Sequence, residues 1–284
     1  GSERFKTKTG SGNVNKFFTG IAYSVNKNLS FGIDFGYHFG TTENDFTESL
    51  YSPIVLQYST KERNTSKTNG YSINTGIQYS KKISSKLNLL TSFTFSPETK
   101  FKNTNDRVIA TVTYSNSGSE ASFDVSDVVT TKINMINPSK FSFGAGIGEA
   151  KKWLIGTDIT FINNKKLINR FDMGSAVSFE NSTRIAVGGY YVPKYDSFSN
   201  YLNRIVYRAG FRYENTGLVI NNTSINDYGM NFGLGLPVGL SRINLGVEFG
   251  KKGTTSNNLI EENYFNLSVG LSLNDIWFKK RKID

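Results

Sequence analysis

Apolar and polar residues alternate one by one along most of this chain. In the stretch LSFGIDFGYHFG (29–40), every odd position is apolar or aromatic and every even position is small or polar. Successive side chains of a β-strand point to opposite faces, so the alternation predicts a strand with one apolar face and excludes an amphipathic helix. The pattern leaves one question open, which is whether that face meets a protein core or lipid.

The same alternation recurs and predicts eleven strands, with a polar loop near 115–127. The first two predicted strands fall at 17–25 and 29–40, and the third is a long segment that ends with 71–79. The others fall at 87–114, 130–147, 153–161, 171–191, 205–213, 228–236, 243–249 and 265–273. Since no helical crossover segment separates them, consecutive strands are expected to pair as antiparallel neighbours. Connections after odd-numbered strands are short and the others are mostly longer, as in outer-membrane barrels. We therefore predict a transmembrane antiparallel β-barrel over 1–273 and a periplasmic tail over 274–284.

The composition of the two faces favours lipid over a soluble core. The polar face is rich in Gly, Ser and Asn, as at Gly32, Gly36 and Gly40. Glycine weakens a water-facing strand, whereas small residues suit the inside of a closed barrel. Aromatic residues near the predicted strand ends fit the girdles that barrels place at membrane interfaces. The predicted interface aromatics are Tyr23, Tyr79, Trp153, Tyr191, Tyr264 and Trp277.

Charge and composition add to this picture without changing it. The formal net charge is +10, but the basic residues form short groups between strands rather than one stripe. We therefore expect no nucleic-acid partner, and positive loops suit the anionic headgroups of outer-membrane lipid and lipopolysaccharide. The mean hydropathy of −0.35 is what a barrel with one polar face gives. There is no cysteine, and we find no cluster of metal ligands, so neither a metal nor a cofactor is expected.

Several charged residues fall on the predicted polar face and are candidate lumen residues. They are Asp34, His38, Asp158, Arg204, Arg208, Arg212, Glu214 and Glu248. The three arginines recur every four residues and are expected to line one wall of one strand. Two interpretations stay open: the charges pair and stiffen the barrel, or they line a polar path that binds a ligand carboxylate. His38 has no serine two residues away, so no nucleophilic site and no enzyme activity are expected.

Four stretches resemble the FadL-like family of outer-membrane proteins, in the form found in Bacteroidota: 10–40, 136–161, 207–222 and 262–284. The resemblance implies a fourteen-stranded barrel, an N-terminal hatch that plugs the lumen and a hydrophobic ligand inside. Bacterial single-chain barrels have an even number of strands, whereas eleven are predicted here. We therefore expect the hatch and the first three strands to be missing from this chain, and the missing N-terminal part of the same protein to be a partner.

Two functions stay open at this point. The resemblance implies passage of small hydrophobic compounds, such as long-chain fatty acids, across the outer membrane. The alternative is a non-transporting barrel subunit of a larger outer-membrane complex, either the barrel-assembly or the type 9 secretion machinery. In that case the polar loops would contact partner proteins.

Overall fold

The computed structural model describes residues 4–50, 58–115, 119–167, 176–239 and 241–272. These residues form fifteen strands: β1 Arg4–Ser24, β2 Leu29–Leu50, β3 Ser59–Lys82, β4 Leu87–Ser96, β5 Thr99–Tyr114, β6 Glu120–Phe123, β7 Val129–Asn137, β8 Lys140–Glu149, β9 Trp153–Ile162, β10 Val177–Phe179, β11 Ser182–Tyr191, β12 Val206–Ile220, β13 Thr223–Val238, β14 Ser241–Gly253 and β15 Glu261–Ser272. Short 3-10 helices span Leu202–Arg204 and Ser256–Asn258. None of the helices in these ranges is long and apolar enough to cross a membrane.

Eleven strands follow one another in hydrogen-bonded order, which confirms the predicted all-β antiparallel architecture. The order is β1, β2, β3, β4, β8, β9, β11, β12, β13, β14, β15, so β1 and β15 lie at its two ends. Every pair from β3 to β15 along this order is antiparallel. Because each strand pairs with the next one in the order, side chains on one face stay in register across many strands.

Prolines divide two of the predicted strands. The predicted fourth strand becomes β4 and β5, which are separated at Pro97, and the fifth becomes β7 and β8, separated at Pro138. Proline has no backbone N–H and cannot donate to the ladder, so the pairing stops at each of these residues.

The predicted polar loop near 115–127 is partly wrong, because it contains β6. This short strand pairs with the end of β5, with Thr111 opposite Phe123. The Phe123 ring also lies edge-on to Tyr58, at 6.3 Å between ring centroids. Four residues are too few to show a clear alternation, so the strand was not visible in the sequence.

The chain divides into two compact units. Unit 1 comprises residues 1–21, 34–74 and 97–137, and unit 2 comprises residues 22–33, 75–96 and 138–284. Unit 1 therefore holds the long parts of β1, β2 and β3 together with β5, β6 and β7. Unit 2 holds β4 and the strands from β8 to β15.

Unit 2 exposes one continuous apolar face. Phe211, Met230, Phe249 and Phe265 lie opposite one another on four successive strands, and all four side chains are exposed. Nearer the short turns, Tyr191 lies between Trp153 and Tyr207 in a second row. The other face of the same strands carries glycine, serine, asparagine and the charged residues. An exposed apolar surface of this extent needs an apolar environment outside the protein.

Unit 1 also has two faces, which we name after adjacent residues of β3. The Ser72 face is buried: Asn64, Ser66, Thr68 and Ser72 are all less than 7% exposed. Its polar groups bond across the strands, since Asn103 Nδ2 donates to Thr68 Oγ1 (2.7 Å) and Ser66 Oγ donates to Asn105 Oδ1 (2.8 Å). The opposite Tyr71 face is mostly exposed, so β3 buries its polar face and exposes its apolar face.

Ion pairs on the Tyr71 face join β2, β3 and β6 near the start of β3. Lys61 Nζ lies 2.9 Å from Asp45 Oδ2 and 2.7 Å from Glu120 Oε2, and Arg63 Nε donates to Asp45 Oδ1 at 3.1 Å. Burial raises the pKa of Asp45, but hydrogen bonds and charge from Arg63 and Lys61 outweigh this, so its pKa lies below the ordinary 3.8. Burial lowers the pKa of Lys61, yet its two carboxylate partners bring it above the ordinary value.

These directions predict how unit 1 responds to acid. The depressed pKa of Asp45 gives stability that is complete above the ordinary value and is lost as pH falls through the lower folded value. We expect hydrogen exchange, corrected for intrinsic rate, to show loss of protection in 41–49 and 59–65 below about pH 4. Asp45→Asn should reduce this protection at pH 7 and flatten the acid response. An acid response in Asp45→Asn equal to that of the unmodified chain would contradict the prediction.

Candidate functional site

A charged cluster occupies the polar face of unit 2 and spans four adjacent strands. We call it the Arg212 cluster; its members are Arg212 and Glu214 on β12, Asp227 on β13, Glu248 on β14 and Tyr264 on β15. The register places Gly229 and Gly250 directly between Arg212 and Tyr264. A Cβ on Gly229 would lie 2.7 Å from Glu248 Oε1, so glycine here leaves the space that the long side chains occupy.

Arg212 donates to four acceptors. Its Nη2 lies 2.9 Å from Tyr264 Oη, 3.1 Å from Glu248 Oε1 and 3.3 Å from Asp227 Oδ1, and its Nη1 lies 3.3 Å from Glu214 Oε2. The Tyr264 hydroxyl in turn donates to Asp227 Oδ1 at 2.8 Å. Charge-assisted bonds of this kind are roughly twice as strong as neutral ones. One cation therefore holds three carboxylates and a phenol from four strands together.

This arrangement bears on the two interpretations for Arg212. The guanidinium uses both terminal nitrogens on acceptors of its own chain, and its side chain is only 19% exposed. The three carboxylates outnumber the single arginine, so the cluster repels a further anion. For Arg212, Glu214 and Glu248, the geometry supports pairing that stiffens the wall rather than binding of a ligand carboxylate.

The other two predicted arginines are placed differently. Arg208 Nη1 donates to the Asn244 Oδ1 amide oxygen at 3.0 Å. Arg204 does not continue the row on β12, because it ends the 3-10 helix that precedes the strand, and its guanidinium lies 5.3 Å from the Tyr201 ring centroid. The predicted row of three arginines on one strand is therefore wrong for Arg204. Within the described ranges, neither Arg204 nor Arg208 has a carboxylate within 4.0 Å.

Asp158 lies in a groove on the same polar face. The groove has a volume of about 770 Å³, and glycine and alanine from β8, β9, β11 and β12 form its floor. Charged side chains line the rest of the groove: Asp158, Arg184, Arg212 and Glu248. Thr160 Oγ1 donates to Asp158 Oδ1 at 3.2 Å. The groove is therefore lined by both small and charged side chains.

Asp34 and His38 lie in unit 1, on the Ser72 face. Asn74 Nδ2 donates to Asp34 Oδ1 at 2.6 Å, and Lys16 Nζ lies 3.8 Å from the same oxygen. His38 Nε2 lies 2.8 Å from Ser72 Oγ, a partner that sequence spacing did not reveal because it is 34 residues away on the next strand. Ser72 is only 6% exposed, and no described carboxylate bonds the second ring nitrogen of His38. A buried serine without an oriented base does not form a nucleophilic site.

The predicted interface aromatics divide between the two faces. Trp153 and Tyr191 lie opposite each other on the apolar face. Tyr79 is on the Tyr71 face of β3, and Tyr23 is exposed on β1. Tyr264 lies instead on the polar face, where its hydroxyl belongs to the Arg212 cluster, so its prediction as an interface aromatic is wrong. Trp277 and the predicted tail 274–284 fall outside the described residues.

Two members of the site were missed in the sequence. Asp227 stands at an odd position of β13, where the odd residues Gly229, Asn231 and Gly233 form the polar face, so the alternation did contain the signal. Tyr264 precedes the apolar positions of β15 by one residue and shares the even positions of Asn266 and Ser268. Its position on the polar face follows from the two-residue period rather than from its residue type.

Removing the Tyr264 hydroxyl is expected to weaken the cluster measurably. Tyr264→Phe deprives Asp227 of a donor, and a hydrogen bond to a charged group contributes about 1.5–3 kcal/mol. We expect urea unfolding of the refolded protein to show a loss in this range. The matched control is Tyr228→Phe, whose ring packs against Tyr213 on the apolar face. A Tyr264→Phe variant as stable as the Tyr228→Phe control would contradict the bonding described here.

Comparison with known proteins adds a family and a set of similar folds. A family model described as BamG matches residues 2–284. Among solved structures, the RagAB peptide transporter has a TM-score of 0.51 at 13% identity, covering 94% of this chain and 34% of that one. The Pseudomonas putida toluene transporter TodX has a TM-score of 0.42 at 11% identity, covering 95% and 88%. The CymD monoaromatic hydrocarbon channel has a TM-score of 0.42 at 8% identity, covering 87% and 83%. No curated protein matches.

The exposed apolar face, the antiparallel strand order and the similarity to RagAB define an antiparallel β-barrel protein of the bacterial outer membrane. The chain spans about a third of the RagAB chain that it matches. The family match covers nearly the whole sequence, and this chain belongs to the BamG family. The expected FadL-like assignment is not confirmed and stays a prediction.

Proposed function

We propose that this chain is a barrel subunit of a larger outer-membrane protein complex. The observation that carries the proposal is the length of β2 and β3, whose longer parts lie in unit 1. β3 has 24 residues and β2 has 22, whereas about ten residues suffice to cross the outer membrane. At about 3.3 Å per residue β3 is about 80 Å long, so most of it lies outside the membrane.

The part of unit 1 near the start of β3 has a surface fixed by ion pairs. The ion pairs of Lys61, Asp45 and Glu120 fix it from three strands. Large apolar side chains are also exposed at this end of the strands. Tyr114 shares the face of the ion pairs, whereas Phe123 and its ring partner Tyr58 lie on the opposite face. Exposed apolar residues next to charged groups are typical of protein–protein contact sites.

Two further observations support the proposal. The name of the family, BamG, is consistent with the barrel-assembly alternative. Arg212 bonds only acceptors of its own chain among the described residues, so its cluster supplies a rigid wall rather than a ligand site. The proposal includes no catalytic role, because His38 contacts a buried serine and has no orienting carboxylate among the described residues.

Purification of the tagged protein from its own outer membrane in mild detergent tests the proposal. We expect native mass spectrometry to show a stoichiometric complex. The double variant Tyr58→Ser, Phe123→Ser should release the barrel from it, whereas the control Thr65→Ser, Asn69→Ser on the opposite face should not. A lone barrel from the unmodified strain would show that the proposal is wrong.

Passage of small hydrophobic compounds is the second candidate. The observation in its favour is Arg208, whose guanidinium bonds the Asn244 amide rather than a carboxylate. Its positive charge is therefore free to bind an anionic headgroup at the polar face. We expect the purified protein to bind a long-chain fatty acid in that case, and Arg208→Glu to weaken binding at least tenfold. Arg184→Glu, on the same face of β11, is the control. Absence of binding by the unmodified protein would exclude this candidate.

A further inference from the structure

We propose that four lysines on the Tyr71 face of unit 1 bind the phosphate groups of lipopolysaccharide in the outer leaflet. We call them the lysine belt: Lys67 on β3, Lys100 and Lys102 on β5, and Lys132 on β7. The inference names a lipid-binding surface that is independent of the proposed protein complex.

The register brings the four lysines onto one face. Thr104 of β5 lies opposite Lys67 on one side and Lys132 on the other, so these two lysines share a row with it. Lys102 lies opposite Asn69, one position along the same face of β5, and Lys100 follows by two residues. The intervening Phe101 and Asn103 point to the opposite face and are buried, while the lysines are exposed.

The belt lies next to an aromatic cluster on the same face. The Tyr71 ring centroid is 5.3 Å from that of Phe35 and 5.0 Å from that of Tyr37, and Tyr37 stacks on Phe39 at 5.6 Å. Aromatic residues of this kind mark the membrane interface of a barrel. Lys67 stands four residues before Tyr71 on β3. The distance of about 13 Å along the strand places it at the level of headgroups rather than of acyl chains.

The course of β2 and β3 indicates which leaflet the belt faces. β2 begins after the short turn at 25–28 and β3 ends before the short turn at 83–86, and short turns are periplasmic in outer-membrane barrels. Lys67 stands well before the end of β3, away from that turn along the strand. The belt therefore lies on the extracellular side, where the outer leaflet carries phosphorylated glycolipid. Lysine stems can lie along the apolar stripe while their ammonium groups reach the phosphates.

Electrostatics separates the belt from three other cations of unit 1, which are paired with carboxylates. Lys61, Arg63 and Arg107 each form ion pairs of 3.1 Å or shorter with carboxylates. Within the described part of the chain, the nearest carboxylate contact of the belt is Lys67 to Asp106 at 4.0 Å, and the Lys67 side chain is 64% exposed. Asp106 also accepts a bond from Thr130. The belt thus presents an excess of about three positive charges to a layer of phosphates.

The experiment compares two variants with the same change in net charge. The belt variant is Lys67→Gln, Lys100→Gln, Lys102→Gln, Lys132→Gln. The control is Lys27→Gln, Lys81→Gln, Lys82→Gln, Lys86→Gln, which removes four exposed lysines at the short-turn end. Heat modifiability on gels verifies that both variants fold. Each protein, in neutral detergent, is titrated with diphosphorylated lipid A and with dephosphorylated lipid A.

We expect the unmodified protein and the control to prefer phosphorylated lipid A. The belt variant should bind it at least tenfold more weakly and show no preference for the phosphorylated form. Equal binding by the belt variant and the unmodified protein would overturn the proposal. Unchanged lipid A binding together with loss of a co-purifying protein would also overturn it, because the belt would then be a protein-binding surface.

Discussion

Arg212→Met is expected to destabilise the barrel by about 3–5 kcal/mol, because it leaves three carboxylates on the polar face without their cation. Glu248, Asp227 and Glu214 all bond the guanidinium at 3.1–3.3 Å, and Arg212 is mostly buried. Methionine fills a similar volume, so the loss reflects charge and hydrogen bonding rather than a cavity. Urea unfolding of the protein refolded in detergent, followed by tryptophan fluorescence, measures it.

Arg184→Met is the matched control for this variant. Arg184 lies on the same face of the neighbouring strand, opposite Glu214, but it is exposed and forms no ion pair with a described residue. Its loss should change stability by about 0.5 kcal/mol or less. Glu248→Gln added to Arg212→Met should recover part of the lost stability, since it removes one of the like charges. Equal effects of the two arginine variants would show that the cluster does not hold the strands together.

The second large effect concerns the faces of β13. Phe232→Arg places a charge in the middle of the exposed apolar face, beside Ala209 and Val247. An arginine that faces lipid near the bilayer midplane costs about 2–4 kcal/mol. Asn231→Arg places the same charge one residue earlier, on the polar face opposite Glu248, where it can form an ion pair. We expect its cost to be below about 1 kcal/mol.

Refolding yield and urea unfolding in lipid vesicles give both values. Because the two variants differ only by one position along the strand, they share strand propensity and charge. Their difference therefore measures the environment of each face. A larger cost for Asn231→Arg than for Phe232→Arg would show that the faces have been assigned the wrong way round.

The two-residue alternation predicts most of the strands and their faces, although it reveals neither β6 nor the divisions at Pro97 and Pro138. It requires only local sequence, because each side chain points to the side opposite its neighbour. Contacts between strands, in contrast, cannot be predicted from local sequence. Arg212 and Tyr264 are 52 residues apart, and His38 and Ser72 are 34 apart, so their contacts depend on a register that no short stretch contains.

Residue type predicts the wrong location for Tyr264, whereas alternation along β15 predicts the correct face. Tyr264 was assigned to the membrane interface because it is aromatic, although its position in β15 places it on the polar face. Arg204 was added to a row of arginines because of its spacing, but the backbone turns into a 3-10 helix before β12 begins. A spacing of four residues keeps side chains on one face only inside a strand, and local alternation does not define the residue at which a strand begins.

The paired interruptions at Pro97 and Pro138 have a consequence for how this sequence can vary. On each strand two residues separate the ladders: Ser96 lies opposite Lys140 on one side, and Thr99 lies opposite Asn137 on the other. A one-residue slip in a strand would turn its lipid-facing side chains inward. Each ladder ends next to a proline that cannot donate to it, so a register shift in the β5–β7 ladder does not pass into the β4–β8 ladder. The length of β5 and β7 can thus change over evolution without turning the lipid-facing side chains of β4 and β8 inward.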